Sequence, residues 1–555
     1  MGRLRSGGQI LVDTLVANGV ETAFCVPGES FLEVLDALHD SPVRLITCRH
    51  EGPATHMAEA GAKLSGRPGV ALVTRAPGAT HASVAVHTAF QDSTPLVLLI
   101  GQVARETSER EAFQEIDYRQ MFGAFTKWVA QIDDAARIPE LLGRAFQIAM
   151  AGRRGPVVLA LPEDMLTDCV NTAAPVRREP TVQHPGAAQV QAAHERLCAA
   201  QRPLLVLGGS GWDALGTAAV QRYAQRMQLP VACAFRRQDL YDNADPCYIG
   251  DLGLGANPAL VQRVRDADVL LAIGTRLGDA ASQGYTALDI PRPRQTLIHV
   301  MAGTEELGRV YQPTLAIASD PNTFCEALDQ LQADGRPASV WLDPARADYQ
   351  RFHAIKPLQA QAALDLGAAV AELRHQLPPN AIVTNGAGNH TTWLHRHFSY
   401  RQPGTQLAPT SGTMGYAVPA AIAAALLRPG VPVVCWTGDG CFLMSVAELA
   451  TVALYELPVV FIVVNNGMYG TIRMHQERHY PGRVTATTLR NPDFVACAKS
   501  FGLSATRVER NADFGPALAA ALQQQSPALI ELVTDPDILS PAQTVAGLRA
   551  AAVNA

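Results

Sequence analysis

The sequence predicts an α/β protein built from three doubly wound parallel sheets. Three observations predict it. Short apolar, β-branched runs alternate with runs of helical period along nearly all 555 residues. Those runs break off in Gly-, Pro- or Asp-containing turns that carry the polar chemistry of the chain. Two stretches rich in Pro, Arg and polar residues, Ala173 to Pro185 and Asp334 to Pro357, read as linkers that divide the chain in three.

Residues 1–170 form the first expected domain, with strands over Thr22 to Val26, Arg44 to Cys48, Gly69 to Thr74, Pro95 to Ile100 and Pro156 to Leu161. A central domain is expected over residues 187–333, with strands at Pro203 to Leu207, Pro230 to Cys233, Val269 to Ile273 and Thr296 to Val300. Residues 358–540 form the third. The 48% hydrophobic content fills several cores, and the net charge of −6 with no basic stripe argues against nucleic acid as a partner. No apolar run approaches the roughly 20 residues that span a bilayer. The amphipathic N-terminus lacks the continuous apolar core of a secretory signal, and ten scattered cysteines show no metal spacing, so a cytoplasmic protein with reduced, buried thiols is expected.

The stretch Val431 to Gly470 concentrates the chemistry. Pro432 to Thr437 reads as a strand, Gly438-Asp439-Gly440 as its break, Ser445 to Glu456 as a helix, and Leu457-Pro458 restarts a strand ending at Asn465-Asn466. Such a crossover makes the two strands parallel neighbours, so Asp439 and Asn466 both lie just past carboxyl ends, where open α/β sheets bind ligands. A carboxylate and an amide oxygen suit Mg²⁺, which keeps positions for phosphate oxygens, and Gly440 lets the backbone approach phosphate closely. The rhythm of Val70 to Ile100 repeats that of Val433 to Val464, suggesting two copies of one structural unit.

The GDG turn followed after 27 residues by Asn466 (466 − 439) resembles the thiamine-diphosphate-binding motif of the acetolactate synthase and pyruvate decarboxylase superfamily. The resemblance covers nearly the whole chain. It implies pyrimidine-binding, central Rossmann-like and pyrophosphate-binding domains in that order, and a homodimer or homotetramer with its active site at the subunit interface. Asp439, Asn466 and the main-chain carbonyl of Met468 would be the metal ligands. Gly438, Gly440, Cys441 and Tyr469 would complete the diphosphate side with the loop Gly388-Asn389-His390. Met414, in Ser411-Gly-Thr-Met-Gly-Tyr416 and 25 residues before Asp439 (439 − 414), would prop the bent cofactor. Arg49-His50-Glu51, at a strand end, resembles the family segment whose glutamate meets the aminopyrimidine N1′, a role that requires a placed acid.

For the substrate the family divides. Ala112-Phe113-Gln114-Glu115 is close to the acetolactate synthase pattern, which implies Phe113 and Gln114 beside the reacting centre, with Gly28, Ser30, Thr471 and His475 lining the substrate pocket. Val26-Pro27-Gly28-Glu29-Ser30 departs from it, because Glu29 stands where pyruvate decarboxylases place an acid. In Thr74-Arg75-Ala76-Pro77-Gly78, Arg75 and Ala76 replace the usual small residues. A lone carboxylate at position 29 would repel an anionic acceptor and could deliver a proton. The reading is therefore an acetolactate-synthase-like enzyme acting on a 2-oxo acid such as pyruvate. The alternatives are a non-oxidative 2-oxo-acid decarboxylase or aldehyde lyase/carboligase, and a cofactor-binding homologue without turnover. Expected cofactors are thiamine diphosphate and Mg²⁺, and FAD is a further candidate for the turns Leu207 to Gly211 and Ile273 to Arg276; the segment His299 to Thr304 lacks an acid to engage a ribose, so ADP or an empty central domain are the alternatives.

Overall fold

A computed structural model describes residues 4–332, 340–355 and 364–553. The chain divides into two compact units, residues 1–182 and 183–555. The first holds one six-stranded sheet of β1 (Thr22–Cys25), β2 (Arg44–Thr47), β3 (Gly69–Val73), β4 (Leu96–Gln102), β5 (Trp128–Gln131) and β6 (Pro156–Pro162). Its strand order is β2-β1-β3-β4-β6-β5, parallel throughout. Strands β4 and β6 are buried along their whole length, as expected of strands covered by helices on both faces.

The second unit holds two such sheets. The central one comprises β7 (Pro203–Leu207), β8 (Val231–Ala234), β9 (Tyr248–Leu252), β10 (Val269–Ile273), β11 (Thr296–Met301) and β12 (Leu315–Ala318), in the order β9-β8-β7-β10-β11-β12. This is the dinucleotide-fold order. The last comprises β13 (Ile382–Asn385), β14 (Gln406–Leu407), β15 (Val433–Gly438), β16 (Val459–Asn465), β17 (Ser504–Val508) and β18 (Ala528–Val533), in the order β14-β13-β15-β16-β18-β17. The first and last sheets thus share one topology, and the two sequence stretches with the same rhythm are the third and fourth strands of each. Each sheet reverses direction between its first and third or first and fourth strands, and the turns at that point are where open sheets take ligands.

Three expectations change. The second linker was expected over Asp334 to Pro357; its residues 334–339 and 356–357 lie outside the described residues, but Leu342–His353 between them is a helix. Tyr349 packs edge-on against Tyr248 with ring centroids 5.1 Å apart, and Arg346 donates to the Tyr248 carbonyl at 2.6 Å, so a polar segment is anchored by a few contacts. The crossover from β15 to β16 begins helically at Asp439–Leu443 and continues over Leu449–Leu454, not as one helix over Ser445 to Glu456. Ser445 interrupts it by donating its hydroxyl to the Gly415 carbonyl at 2.7 Å. All ten cysteines are free, but Cys169 and Cys198 are exposed and Cys497 is part-exposed, against the expectation of burial.

Candidate active site

Ends of neighbouring strands bring together the residues expected on the diphosphate side. Gly438 of β15 pairs with Val464 of β16, which brings Asp439 level with Asn465 and Asn466. The Asp439 carboxylate is 3% exposed. Its Oδ1 accepts from the Gly440 N–H at 2.8 Å, and its Oδ2 from the Gly467 N–H at 3.0 Å and from Asn491 Nδ2 at 2.8 Å. Asn491 also donates to Asn465 Oδ1 at 2.9 Å, tying the two strand ends together. Burial pushes the Asp439 carboxyl up, and the three donors work against that push. Asn466 Oδ1 accepts from the Met468 N–H at 3.2 Å, and the Met468 carbonyl accepts from the Gly470 N–H at 3.0 Å, in a turn paired to Thr488.

Glycines in this region are required by close approach. A Cβ on Gly440 would meet the Tyr469 ring at 2.7 Å, and one on Gly438 would meet His390 Nδ1 at 2.7 Å. His390 is held neutral because burial pulls its pKa down to about 3, with the Arg236 charge adding to the effect; its Nε2 is buried without a hydrogen-bond partner. Asn389 Oδ1 accepts from the Thr471 hydroxyl at 2.9 Å, and Cys441 Sγ donates to the Ala387 carbonyl at 2.8 Å. Met414 is half-buried beside Gly415, whose Cβ would contact Met444 and Ser445. His475 is exposed on the helix Gly470–His479, its ring parallel to His479 at 6.4 Å, and joins none of these groups.

That helix is pinned by Glu477, whose fully buried carboxylate accepts from Arg473 at 2.9 Å, from Arg549 at 2.8 and 2.9 Å, and from the Gly482 N–H at 2.9 Å. Arg549 above all, then Gly482 and Arg473, hold the carboxyl down from 4.5 to about 2. A depressed folded value means the contribution is present above about 4.5 and is lost as pH falls toward about 2. The C-terminal helix Val545–Val553 is expected to detach over that window. Hydrogen exchange corrected for intrinsic rate would read this; full protection at the acid end would contradict it.

In the first unit Glu51 opens the helix Glu51–Ser65 directly after β2 and is capped by His50, whose Nδ1 accepts from the Gly52 N–H at 3.0 Å. Its side chain is 13% exposed, and Oε2 meets His81 Nδ1 at 2.8 Å; the His50 and His81 rings stack at 4.5 Å. A Cβ on Gly78 would lie 3.5 Å from Glu51 Oε1, so the turn after β3 runs over the carboxylate. Gln114 enters the same group through its carbonyl, which accepts from the Ala76 N–H at 3.1 Å, with Gln114 itself at φ 66°. Phe113 is 74% exposed. Gly28 is packed on Thr74, and Ser30 Oγ is 2.9 Å from Thr74 Oγ1. Glu29 turns to Arg75, with Nη1 to Oε1 3.0 Å.

Family models for the thiamine pyrophosphate enzyme N-terminal binding domain, central domain and C-terminal binding domain match residues 5–121, 190–328 and 386–532. The acetolactate synthase large subunit of Parasynechococcus marenigrum is 33% identical over 545 residues, covering 95% of this chain and 87% of that protein. The chain belongs to the thiamine pyrophosphate enzyme family. The acetolactate synthase isozyme 2 large subunit of Escherichia coli is 31% identical with 96% of both chains covered, and the acetolactate synthase of Bacillus subtilis 31% with 95% and 93% covered. The protein is thus an acetolactate-synthase-like, thiamine-pyrophosphate-dependent enzyme. Among the described residues no helix is long and apolar enough to cross a membrane.

In this thiamine pyrophosphate enzyme the central sheet reverses between β7 and β10, at Gly208-Gly209 and Gly274. Gly209 has φ 71°, and a Cβ there would lie 1.9 Å from the Gly274 carbonyl oxygen. The Gly208 carbonyl accepts from the Trp212 indole at 2.8 Å, the Gly209 carbonyl from Arg237. These glycines therefore serve close packing of two turns, whatever else binds there. Sequence spacing offered no sign of Asn491, 52 residues beyond Asp439, or of His81 and Arg75 as partners of Glu51 and Glu29.

Proposed function

We propose that the protein uses thiamine diphosphate and Mg²⁺ to join two 2-oxo acids of the pyruvate class, as an acetolactate synthase does. The observation that carries this is the position of Asp439 and Asn466 just past the ends of adjacent parallel strands, in a chain alike to acetolactate synthases along nearly its whole length. Asp439, Asn466 and the Met468 carbonyl form an all-oxygen set suited to Mg²⁺ on a diphosphate. Gly438, Gly440, Cys441, Tyr469 and the Gly388–His390 loop shape the space for it, and the unpartnered His390 Nε2 fits a polar ligand there. Met414, half-buried beside Gly415, would prop the bent cofactor.

Thiamine diphosphate supplies a nucleophilic carbon and an electron sink for a 2-oxo acid that loses CO₂. Glu51 holds and returns a proton at the aminopyrimidine N1′, and His81 fixes the orientation of its carboxylate. In the first unit Gly28, Ser30, Phe113 and Gln114 would line the substrate side; in the second, Thr471, bonded to Asn389, is the candidate, while the exposed His475 stands apart from the other site residues there. In the overall reaction the C1–C2 bond of one pyruvate breaks to release CO₂, its C2 bonds to C2 of a second pyruvate, and the new alkoxide takes a proton. Release of an aldehyde after protonation is the second reading, favoured by Glu29.

The proposed domains are residues 1–170, 187–333 and 358–540, and the proposed functional form is a cytoplasmic homodimer or homotetramer acting on small molecules, without nucleic acid or membrane as partner. The central strand order suits a dinucleotide or ADP without choosing between them or requiring either, and a visible flavin spectrum of the purified protein checks for FAD. Incubation with pyruvate, alone and with aldehydes, followed by product identification, tests the reaction. Acetolactate and CO₂ are expected. Acetaldehyde alone would favour the second reading, and no consumption of any 2-oxo acid would overturn both.

A further inference from the structure

We infer that Glu29, Arg75 and Glu163 act as one charge-coupled unit that decides whether an anionic acceptor is tolerated; this rests on the carboligation reading and names its specificity device. Glu29 follows β1 and Arg75 follows β3, the two strands between which the first sheet reverses. The sequence alone suggests a lone carboxylate at position 29. The structure pairs it instead.

Arg75 is 6% exposed and bridges two carboxylates: Nη1 is 3.0 Å from Glu29 Oε1, and Nη2 donates to Glu163 Oε2. Its Nε is buried with no hydrogen-bond partner, and the Tyr118 hydroxyl, also buried and without a partner, lies within reach of its charge. The side chain of Glu29 is 67% exposed and that of Glu163 38% exposed. A buried guanidinium is the costly member of such a set and the two solvated carboxylates are not, so the cation is what the fold has gone to lengths to place. The turn that carries it continues through Ala76, bonded to the Gln114 carbonyl, to Gly78 over Glu51.

With Arg75 present, an incoming carboxylate meets a set of charges summing to −1, with the cation on the Glu29 carboxylate itself. Without it, the same acceptor meets two uncompensated carboxylates. The two charged residues that break the synthase pattern in this region, Glu29 and Arg75, therefore compensate one another, and carboligation with a 2-oxo acid is retained.

The test is a double-mutant cycle on the holoenzyme with Arg75→Met and Glu29→Gln, both close in shape to the residues they replace. Arg75→Met is expected to lower the ratio of acetolactate to acetaldehyde formed from pyruvate about tenfold. Adding Glu29→Gln should return it to within about threefold of wild type. Independently of turnover, Glu29→Gln should lower the urea midpoint of the unloaded protein only while Arg75 is present. An unchanged ratio in Arg75→Met with cofactor bound, or additive effects on ratio and midpoint, would overturn the inference. A wild-type enzyme that consumes no pyruvate would instead overturn the reading beneath it, and the inference with it.

Discussion

Glu51→Gln is expected to leave the fold and the cofactor affinity intact and to lower turnover by on the order of 10²–10⁴, the usual worth of a positioned acid or base. Glutamine keeps the shape of the side chain and its contact with His81 Nδ1, now 2.8 Å from the carboxylate, but has no proton to share. The helix Glu51–Ser65 is capped by His50 and closed by Gly66 in the left-handed conformation, so its start does not depend on the charge of Glu51. Steady-state kinetics together with calorimetry of cofactor binding would separate the two effects. Wild-type turnover in the pure variant would remove Glu51 from the mechanism.

Asp439→Ala is expected to abolish Mg²⁺-dependent retention of thiamine diphosphate. The substitution removes a hard anionic ligand and strands three N–H donors, that of Gly440, which Oδ1 now receives, and those of Gly467 and Asn491, which Oδ2 receives. Each stranded buried donor costs about 1–3 kcal/mol, so the turn after β16 loosens as well. Because that loosening alone could weaken binding, Asn491→Ala serves as the comparison: it breaks the Oδ2 contact and keeps the carboxylate. Retention in Asn491→Ala with loss in Asp439→Ala would assign the effect to the metal ligand. Calorimetry showing unchanged affinity in Asp439→Ala would remove it from the site.

The position of Asp439 and Asn466 just past the ends of neighbouring parallel strands was legible because it depends on one local unit, a strand, a crossover and a neighbouring strand, whose geometry follows from handedness and length. Interior strands were legible for a related reason: buried on both faces, Leu96–Gln102 and Val459–Asn465 are continuous apolar runs. Within the three large sheets, the edge strands Trp128–Gln131, Tyr248–Leu252, Leu315–Ala318, Gln406–Leu407 and Ser504–Val508 are not marked by composition, nor is the interior strand Ala528–Val533. Trp128–Gln131 is half-exposed throughout, and Ser504–Val508 carries Thr506 and Arg507 outward, so neither shows an apolar run. The helix Leu342–His353 escaped notice because only Leu342, Ala345 and Tyr349 are buried in it.

Contacts made across the sheet were not legible at all. Glu29 and Arg75 are 46 residues apart and meet because β1 and β3 are neighbours while β2 lies outside them. Asn491 reaches Asp439 from an irregular segment after the helix Gly470–His479, where no periodicity sets its position. Both are consequences of topology that no spacing encodes. They also change the chemistry, because a charge of the expected sign at position 29 acts differently once a buried guanidinium lies on it.

The most direct measurement is proton–deuterium exchange at C2 of the thiazolium ring of enzyme-bound thiamine diphosphate, quenched with acid and read by NMR, in the wild-type protein and in Glu51→Gln. Exchange faster than in free cofactor by orders of magnitude, falling back toward the free rate in Glu51→Gln, is the expected result. Exchange at the free rate in the wild-type holoenzyme would contradict the assignment of a working thiamine diphosphate site.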